Sequence, residues 1–284
     1  MKPWWRREPK AKTITLALLL ILLSSWMAPV LGHAQELPIF DAHIHYSQAD
    51  WDTLTPQQAL AILDRAGVRR ALVSSTPDDG TLKLHQANPK RVVPFLRPYR
   101  TRADMGSWHS DPAVQVYVEE RLGRGVYKGI GEFHLSAGDV DKPVVRHLAE
   151  LAAKQQLFLH AHVDEVAVEK LLTLYPQVPI LWAHAGMSSP VSEVRRIVER
   201  FPKVWVELSM RFDVASGGTL NPEWRALFLK HPDRFMVGTD TWTTSRWHSL
   251  AEEAQATRGW LGQLPREVAE QIAYRNGERL FGKP

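Results

Sequence analysis

The sequence predicts a (β/α)8 TIM barrel. Three observations predict it. Short apolar runs recur along the chain, each is followed by an amphipathic stretch of helical period, and eight such units fit in roughly 250 residues. A doubly wound open sheet is the alternative, which the strand count alone does not exclude.

The elements follow in order. Strands are expected near 38–46, 70–75, 92–98, 127–133, 157–162, 179–184, 204–209 and 234–240, where apolar and β-branched residues cluster. Helices are expected near 56–66, 81–88, 112–123, 142–155, 165–174, 190–201, 222–230 and 246–260. A last helix covers about 266–279. Thr55-Pro56 and Ser189-Pro190 mark helix starts, because proline suits the first helical turn. The Gly217-Gly218 loop is too short to divide domains, and no repeat or internal linker stands out. The first strand is not followed by Gly-x-Gly-x-x-Gly, and no Gly-Lys-Ser/Thr loop occurs, so nucleotide binding has no motif behind it.

Composition narrows the classes. With 44% hydrophobic and 23% charged residues, the 284-residue chain is globular, neither disordered nor fibrous. It has no cysteine, which excludes disulfides, thiolate metal sites and thiol nucleophiles. The first 34 residues hold five basic residues and one acidic residue, which accounts for the whole formal excess of +4. The remainder balances, which argues against a nucleic-acid partner.

That basic start precedes the uncharged run Ile14–Val30, then Gly32 and Ala34, small residues two apart. The pattern is that of a signal peptide cleaved after Ala34, with a domain over 35–284. A periplasmic or secreted product is therefore expected. A retained anchor helix is the other reading, and membrane contact is expected only in that case.

Chemistry concentrates at strand ends. The first strand closes in Asp41-Ala-His43-Ile-His45, and residues two apart on a strand share a face. The others close in Glu132-Phe-His134, His160-Ala-His162, Ala183-His184-Ala-Gly186 and Gly238-Thr-Asp240. In a barrel all strand C-termini meet at one face, where active sites lie. So many imidazoles and carboxylates around one cavity are costly to desolvate without a cation. A divalent metal removes that cost, with Zn2+ first and Mn2+, Fe2+ or Ni2+ compatible with the same ligands.

This order of residues resembles the amidohydrolase superfamily of metal-dependent hydrolases. It is most similar to the amidohydrolase-related group and, at the fourth strand, to TatD-like hydrolases. The resemblance spans about 38–282 and includes the tail Ile272-Ala-Tyr-Arg-Asn-Gly-Glu-Arg-Leu-Phe281, which resembles a closing helix of that family. It implies that His43, His45 and Asp240 hold one metal. It implies that His160 is the fifth-strand ligand, although His162 shares its face. It implies that His184 binds a second metal or substrate, and that Glu132 bridges two metals. One or two ions per chain are thus expected. Asp240 and His184 are the expected catalytic groups, Asp240 taking a proton from attacking water and His184 stabilising developing charge.

Arg97, His134, His162 and Arg211 are candidates for touching substrate, and Arg100 stands beside them. Trp108, Trp242 and Trp247 fall where they can wall an apolar pocket. His85, His109, His147, His231 and His248 receive no role. The expected activity is cleavage of an ester, lactone, amide or phosphoester in a small molecule by an exported hydrolase. A one-metal decarboxylase of an aromatic or unsaturated acid is the alternative within the family, and a non-catalytic binding barrel the alternative outside it. A homo-oligomer is compatible with the sequence.

Overall fold

The computed structural model describes Met1 and residues 36–284, so the expected signal segment lies outside the described residues. Residues Leu37–Pro284 form one compact unit, distinct from Met1–Glu36. Eight parallel strands run in sequence order: β1 (Ile39–Ile44), β2 (Val68–Val73), β3 (Val92–Leu96), β4 (Gly129–His134), β5 (Phe158–His162), β6 (Ile180–Trp182), β7 (Val204–Glu207) and β8 (Phe235–Met236). The seam between last and first strands is closed by two backbone bonds. Ala42 N donates to the Val237 carbonyl at 2.9 Å and Asp240 N to the His43 carbonyl at 2.8 Å. The result is the expected (β/α)8 barrel.

The helices between strands begin where local chemistry starts them. At Pro56–Arg65 a capping box joins Thr55 and Gln58, with Pro56 in the first turn. At Glu165–Leu174 the Asp164 carboxylate accepts from Ala167 N at 2.8 Å. At Pro222–Lys230 Asn221 Oδ1 accepts from Glu223 N at 2.8 Å. Most of the apolar core lies between the strands and this helical ring. A smaller cluster of Phe40, Leu72, Val93, Phe95, Leu181 and Met236 fills the barrel's interior. Phe281, on the closing helix, stacks on Phe40 with centroids 5.8 Å apart and meets Phe158 at 5.0 Å. Among the described residues, no helix is long and apolar enough to cross a membrane.

Besides β4, whose register slips against β5, three strand ends depart from the regular extension expected. In β1 the register shifts between Asp41 and Ile44. After β6 the chain leaves extended geometry, and His184 and Ala185 take φ of 55° and 46°. The ladder of β8 stops at Met236, and Asp240 has φ 55°. Each departure lies where a side chain turns toward the barrel axis, so regular pleating is given up at the site itself.

The closing helix is fastened by Asn276, which is fully buried. Its Nδ2 donates to the Phe235 carbonyl at 2.7 Å and the Pro232 carbonyl at 2.8 Å. Asn276→Ala strips both carbonyls of a donor, so stability is expected to fall by about 2 kcal/mol. Urea denaturation checks this, and an unchanged midpoint would show that the helix is held without Asn276, by contacts such as Phe281 on Phe40 and Arg279 on the Asp233 carbonyl.

Candidate metal centre

The C-terminal mouth of the barrel gathers the strand-end residues. His43, His45, Glu132, His184 and Asp240 are all buried. Glu132 reaches the centre through an irregularity, since the β4–β5 register slips between Gly131 and Phe133. Gly131 has φ 127°, and a Cβ there would stand 2.2 Å from the His160 carbonyl oxygen, so only glycine lets the strands approach this closely.

Tautomers follow from the bonds. His43 Nδ1 donates to Glu207 Oε1 at 2.9 Å, and His45 Nδ1 donates to the Ser74 carbonyl at 2.6 Å. His184 Nδ1 donates to the Ser209 carbonyl at 3.0 Å. Each ring therefore turns an Nε2 lone pair inward. His43 Nε2 stands 3.1 Å from His45 Nε2, 3.5 Å from Glu132 Oε2 and 3.7 Å from Asp240 Oδ1. His45 Nε2 stands 3.2 Å from Glu132 Oε2 and 3.4 Å from Asp240 Oδ1. Tetrahedral ligands at ~2.0–2.1 Å from a zinc-sized ion are spaced about 3.3–3.4 Å apart. The atoms of His43, His45 and Asp240 stand 3.1–3.7 Å apart, close to that spacing, and Glu132 Oε2 lies 3.2–3.5 Å from the two imidazoles. Asp240 Oδ1 is buried without a hydrogen-bond donor, so an incoming cation meets no competing proton there.

The electrostatics carry the same demand. Burial opposes a charged His43, yet Asp240, Glu132 and Glu207 outweigh it and hold the imidazolium well above its ordinary range. Glu132 is held well below the carboxylate range despite burial, by His43, His162 and His184. The pocket therefore favours positive charge, which a divalent ion would supply.

A second set surrounds the other Glu132 oxygen. Oε1 lies 2.8 Å from His162 Nδ1 and 3.4 Å from His184 Nε2. His160 sits elsewhere: its ring packs 4.7 Å from His43 and 6.2 Å from Phe95, and neither nitrogen has a partner. Burial holds its pKa well below the ordinary value, so the ring is neutral. Its nearest ligand-type neighbours are His43 and Glu207, not Glu132.

The remaining predicted residues divide. Arg97 Nη2 donates to Glu132 Oε2 at 3.0 Å and its Nε to the Glu132 carbonyl at 3.1 Å, so it reaches the centre. His134 lines the cleft, stacks on His162 at 4.2 Å and is kept neutral, burial lowering its pKa to about 4. Arg211 does not reach the cleft. Asp213 holds it by two bonds of 2.8 Å, and its Nη1 donates to the Ala185 carbonyl at 2.8 Å. That engagement turns it away from substrate. Of the tryptophans, only Trp242 lines the cleft, whereas Trp108 and Trp247 are buried and donate to the carbonyls of His134 and His45.

Two residues went unassigned in the sequence. Glu207, at the end of β7, orients His43 through Oε1 and also accepts from His184 N at 2.7 Å and Ser209 N at 2.8 Å. Gly238 leaves room for this pair, since a Cβ there would lie 2.7 Å from Glu207 Oε2. Asp41 accepts from Thr239 Oγ1 at 2.7 Å and from His43 N at 3.0 Å, tying β1 to the chain leading into Asp240. Burial pushes its carboxyl up to about 7. The only sequence signal for Glu207 is a carboxylate ending an apolar run.

Above the centre lies a cleft of about 610 Å³, walled partly by Met105, Met187, Met210 and Trp242.

Comparison with known proteins agrees with this architecture. The amidohydrolase family profile matches residues 40–283, and the chain belongs to that family. Among curated proteins no relative matches. Among solved structures, a probable 2-pyrone-4,6-dicarboxylic acid hydrolase from Acinetobacter baumannii, with citric acid bound, has a TM-score of 0.60 at 15% identity, covering 86% of this chain and 99% of its own. A TatD homologue from Escherichia coli K12 has a TM-score of 0.59 at 17% identity, covering 87% and 98%. The 5-carboxyvanillate decarboxylase of Novosphingobium aromaticivorans, complexed with manganese, has a TM-score of 0.56 at 12% identity, covering 88% and 97%. At these identities the likeness is one of fold.

Because Glu207 fixes the His43 tautomer, Glu207→Gln is expected to weaken divalent-metal binding about 10–100-fold and, through linkage, to lower the unfolding midpoint of the metal-loaded protein. Metal titration by calorimetry checks it, and wild-type affinity in the variant would remove Glu207 from the account.

Proposed function

We propose that this protein is a metal-dependent hydrolase of small molecules, cleaving an ester, lactone, amide or phosphoester bond with activated water. The observation that supports it is the close set of His43, His45 and Asp240 ligand atoms, with Glu132 beside the two imidazoles, beneath an open cleft. The proposed ligands of a first cation are those four residues. A second would be held by Glu132, His184 and His162, with His162 taking the role the family resemblance implied for His160. Zn2+ and Mn2+ both suit these donors. A divalent cation held there lowers the pKa of coordinated water toward ~7 and polarises the oxygen of the scissile bond.

The chain's own groups do the rest. Asp240, whose Oδ1 faces the cation site, accepts the proton of the attacking water on its other carboxylate oxygen and returns it to the leaving group. His184, fixed by Ser209 and Glu207, keeps its Nε2 toward the same space. Arg97 offers positive charge at the cleft floor, where negative charge develops. Residues 1–34 support export of this enzyme as a 35–284 domain.

The decarboxylase reading draws on one observation. The guanidinium of Arg97 already compensates Glu132, which weakens the need for a second cation. Stoichiometry separates the two. Wild type is expected to hold about two ions per chain by elemental analysis, His162→Ala about one, and His160→Ala about two. A single ion in wild type would favour the decarboxylase. Asp240→Asn keeps one oxygen donor and loses the proton acceptor, so turnover at saturating metal should drop by ~10²–10⁴-fold across an ester and lactone panel. Near wild-type turnover in metal-loaded Asp240→Asn would place proton transfer elsewhere.

A further inference from the structure

One charge on the cleft has no counterpart in the fold. Among the charged side chains lining it, Glu132 and Asp240 face the histidines, and Arg97 pairs with Glu132. Asp50 accepts from Ser47 N and Thr244 Oγ1, each at 2.7 Å. Arg102 lines the same cleft, is exposed, and makes no side-chain hydrogen bond or ion pair among the described residues.

Arg102 is nonetheless mounted on a fixed support. It opens the short turn Arg102–Gly106, which also carries Met105. Arg100 grips Asp104 through Nε at 3.0 Å and Nη2 at 2.9 Å, and reaches Asp111 at 2.6 Å. Asp104 Oδ2 in turn accepts from the backbone N of Arg100 at 2.7 Å and of Thr101 at 3.3 Å. A bidentate ion pair of Arg100 with Asp104 and a single bond to Asp111 thus hold the turn while the next arginine is left free. A held turn with an uncompensated guanidinium is a preorganised anion receptor, because ordering costs are met before the ligand arrives.

The neighbouring wall is of the opposite kind. Met105, Met187, Met210 and Trp242 line the cleft, with Met187 43% and Trp242 53% exposed. Thioethers and an indole accommodate flat apolar bodies of varied outline.

We propose that Arg102 is the specificity-determining residue of this cleft, selecting small anions whose carboxylate or phosphate group is carried on an apolar body. The acid group pairs with the Arg102 guanidinium and the body lies along the methionines and Trp242. The inference rests on the cleft being the substrate site of the proposed hydrolase.

The test is calorimetric binding to the metal-loaded protein of 3-phenylpropionate, 2-phenylethylphosphonate and the neutral 3-phenylpropanamide. In wild type at least one anion is expected to bind about tenfold more tightly than the amide. Arg102→Ala should bring that ratio within about threefold and leave the amide's affinity unchanged. The comparison of carboxylate with phosphonate identifies which acid is preferred. An anion advantage that survives Arg102→Ala would overturn the proposal, since the cations or Arg97 would then be the receptor. Equal binding of amide and anions, equal losses for all three, or no binding at all would overturn it too. Binding is read without turnover. A protein that keeps the Arg102-dependent advantage but hydrolyses nothing would sink the hydrolase reading alone. One that hydrolyses through Asp240 without that advantage would sink this proposal alone.

Discussion

Everything at the mouth of this barrel depends on one unfavourable arrangement: two imidazole lone pairs 3.1 Å apart, each within 3.2–3.7 Å of two buried carboxylates. Without positive charge between them, these acceptors repel one another in a medium that screens poorly. The fold accepts that cost because the rest of the barrel over-determines each side chain. His43 is anchored by Glu207, His45 by Ser74, and Glu132 by a strand irregularity that glycine alone permits. Left-handed backbone at His184 and Asp240 adds further strain at the same place.

The supporting residues form a connected set around that centre. Asp41 and Thr239 bind the first strand to the last, so His43, His45 and Asp240 move as a unit. Thr241 both accepts from His45 N at 2.9 Å and donates to its carbonyl at 2.7 Å, closing the same seam higher up. Trp247 and Trp108 reinforce the mouth from the core, each donating its indole N–H to the carbonyl of a strand-end histidine. At the opposite end Phe281 seals the interior with aromatic contacts. Stability resides at the bottom and between strands and helices, leaving the top free for chemistry, which is the division of labour of this fold.

Much of this was legible in the sequence because the two periodicities are local. Eight apolar runs, each with a helix after it, are read within a window of a dozen residues. The strand-end residues were legible because His43, Glu132, His184 and Asp240 each interrupt an apolar run. Depth was not legible. His160 and His162 share a face, but they differ by about 6.6 Å along the strand, and that step decides which one meets Glu132. Glu207 carries the same mark, a carboxylate ending the apolar run Val204-Trp-Val, but its role was not legible because its partner His43 lies 164 residues away. Arg102 was passed over for Arg97 and Arg100. Only the fold reveals that the first is paired with Glu132, the second with Asp104 and Asp111, and Arg102 with no partner among the described residues.

The central claim is that a divalent ion, not a proton, resolves the crowding of acceptors at the mouth. An anomalous-difference map collected at the absorption edge of the metal co-purified with the protein tests it directly. The account predicts a peak about 2.0–2.2 Å from His43 Nε2, His45 Nε2 and Asp240 Oδ1 together. A map from fully active protein with no peak among those three atoms, or with metal bound only elsewhere, would contradict it.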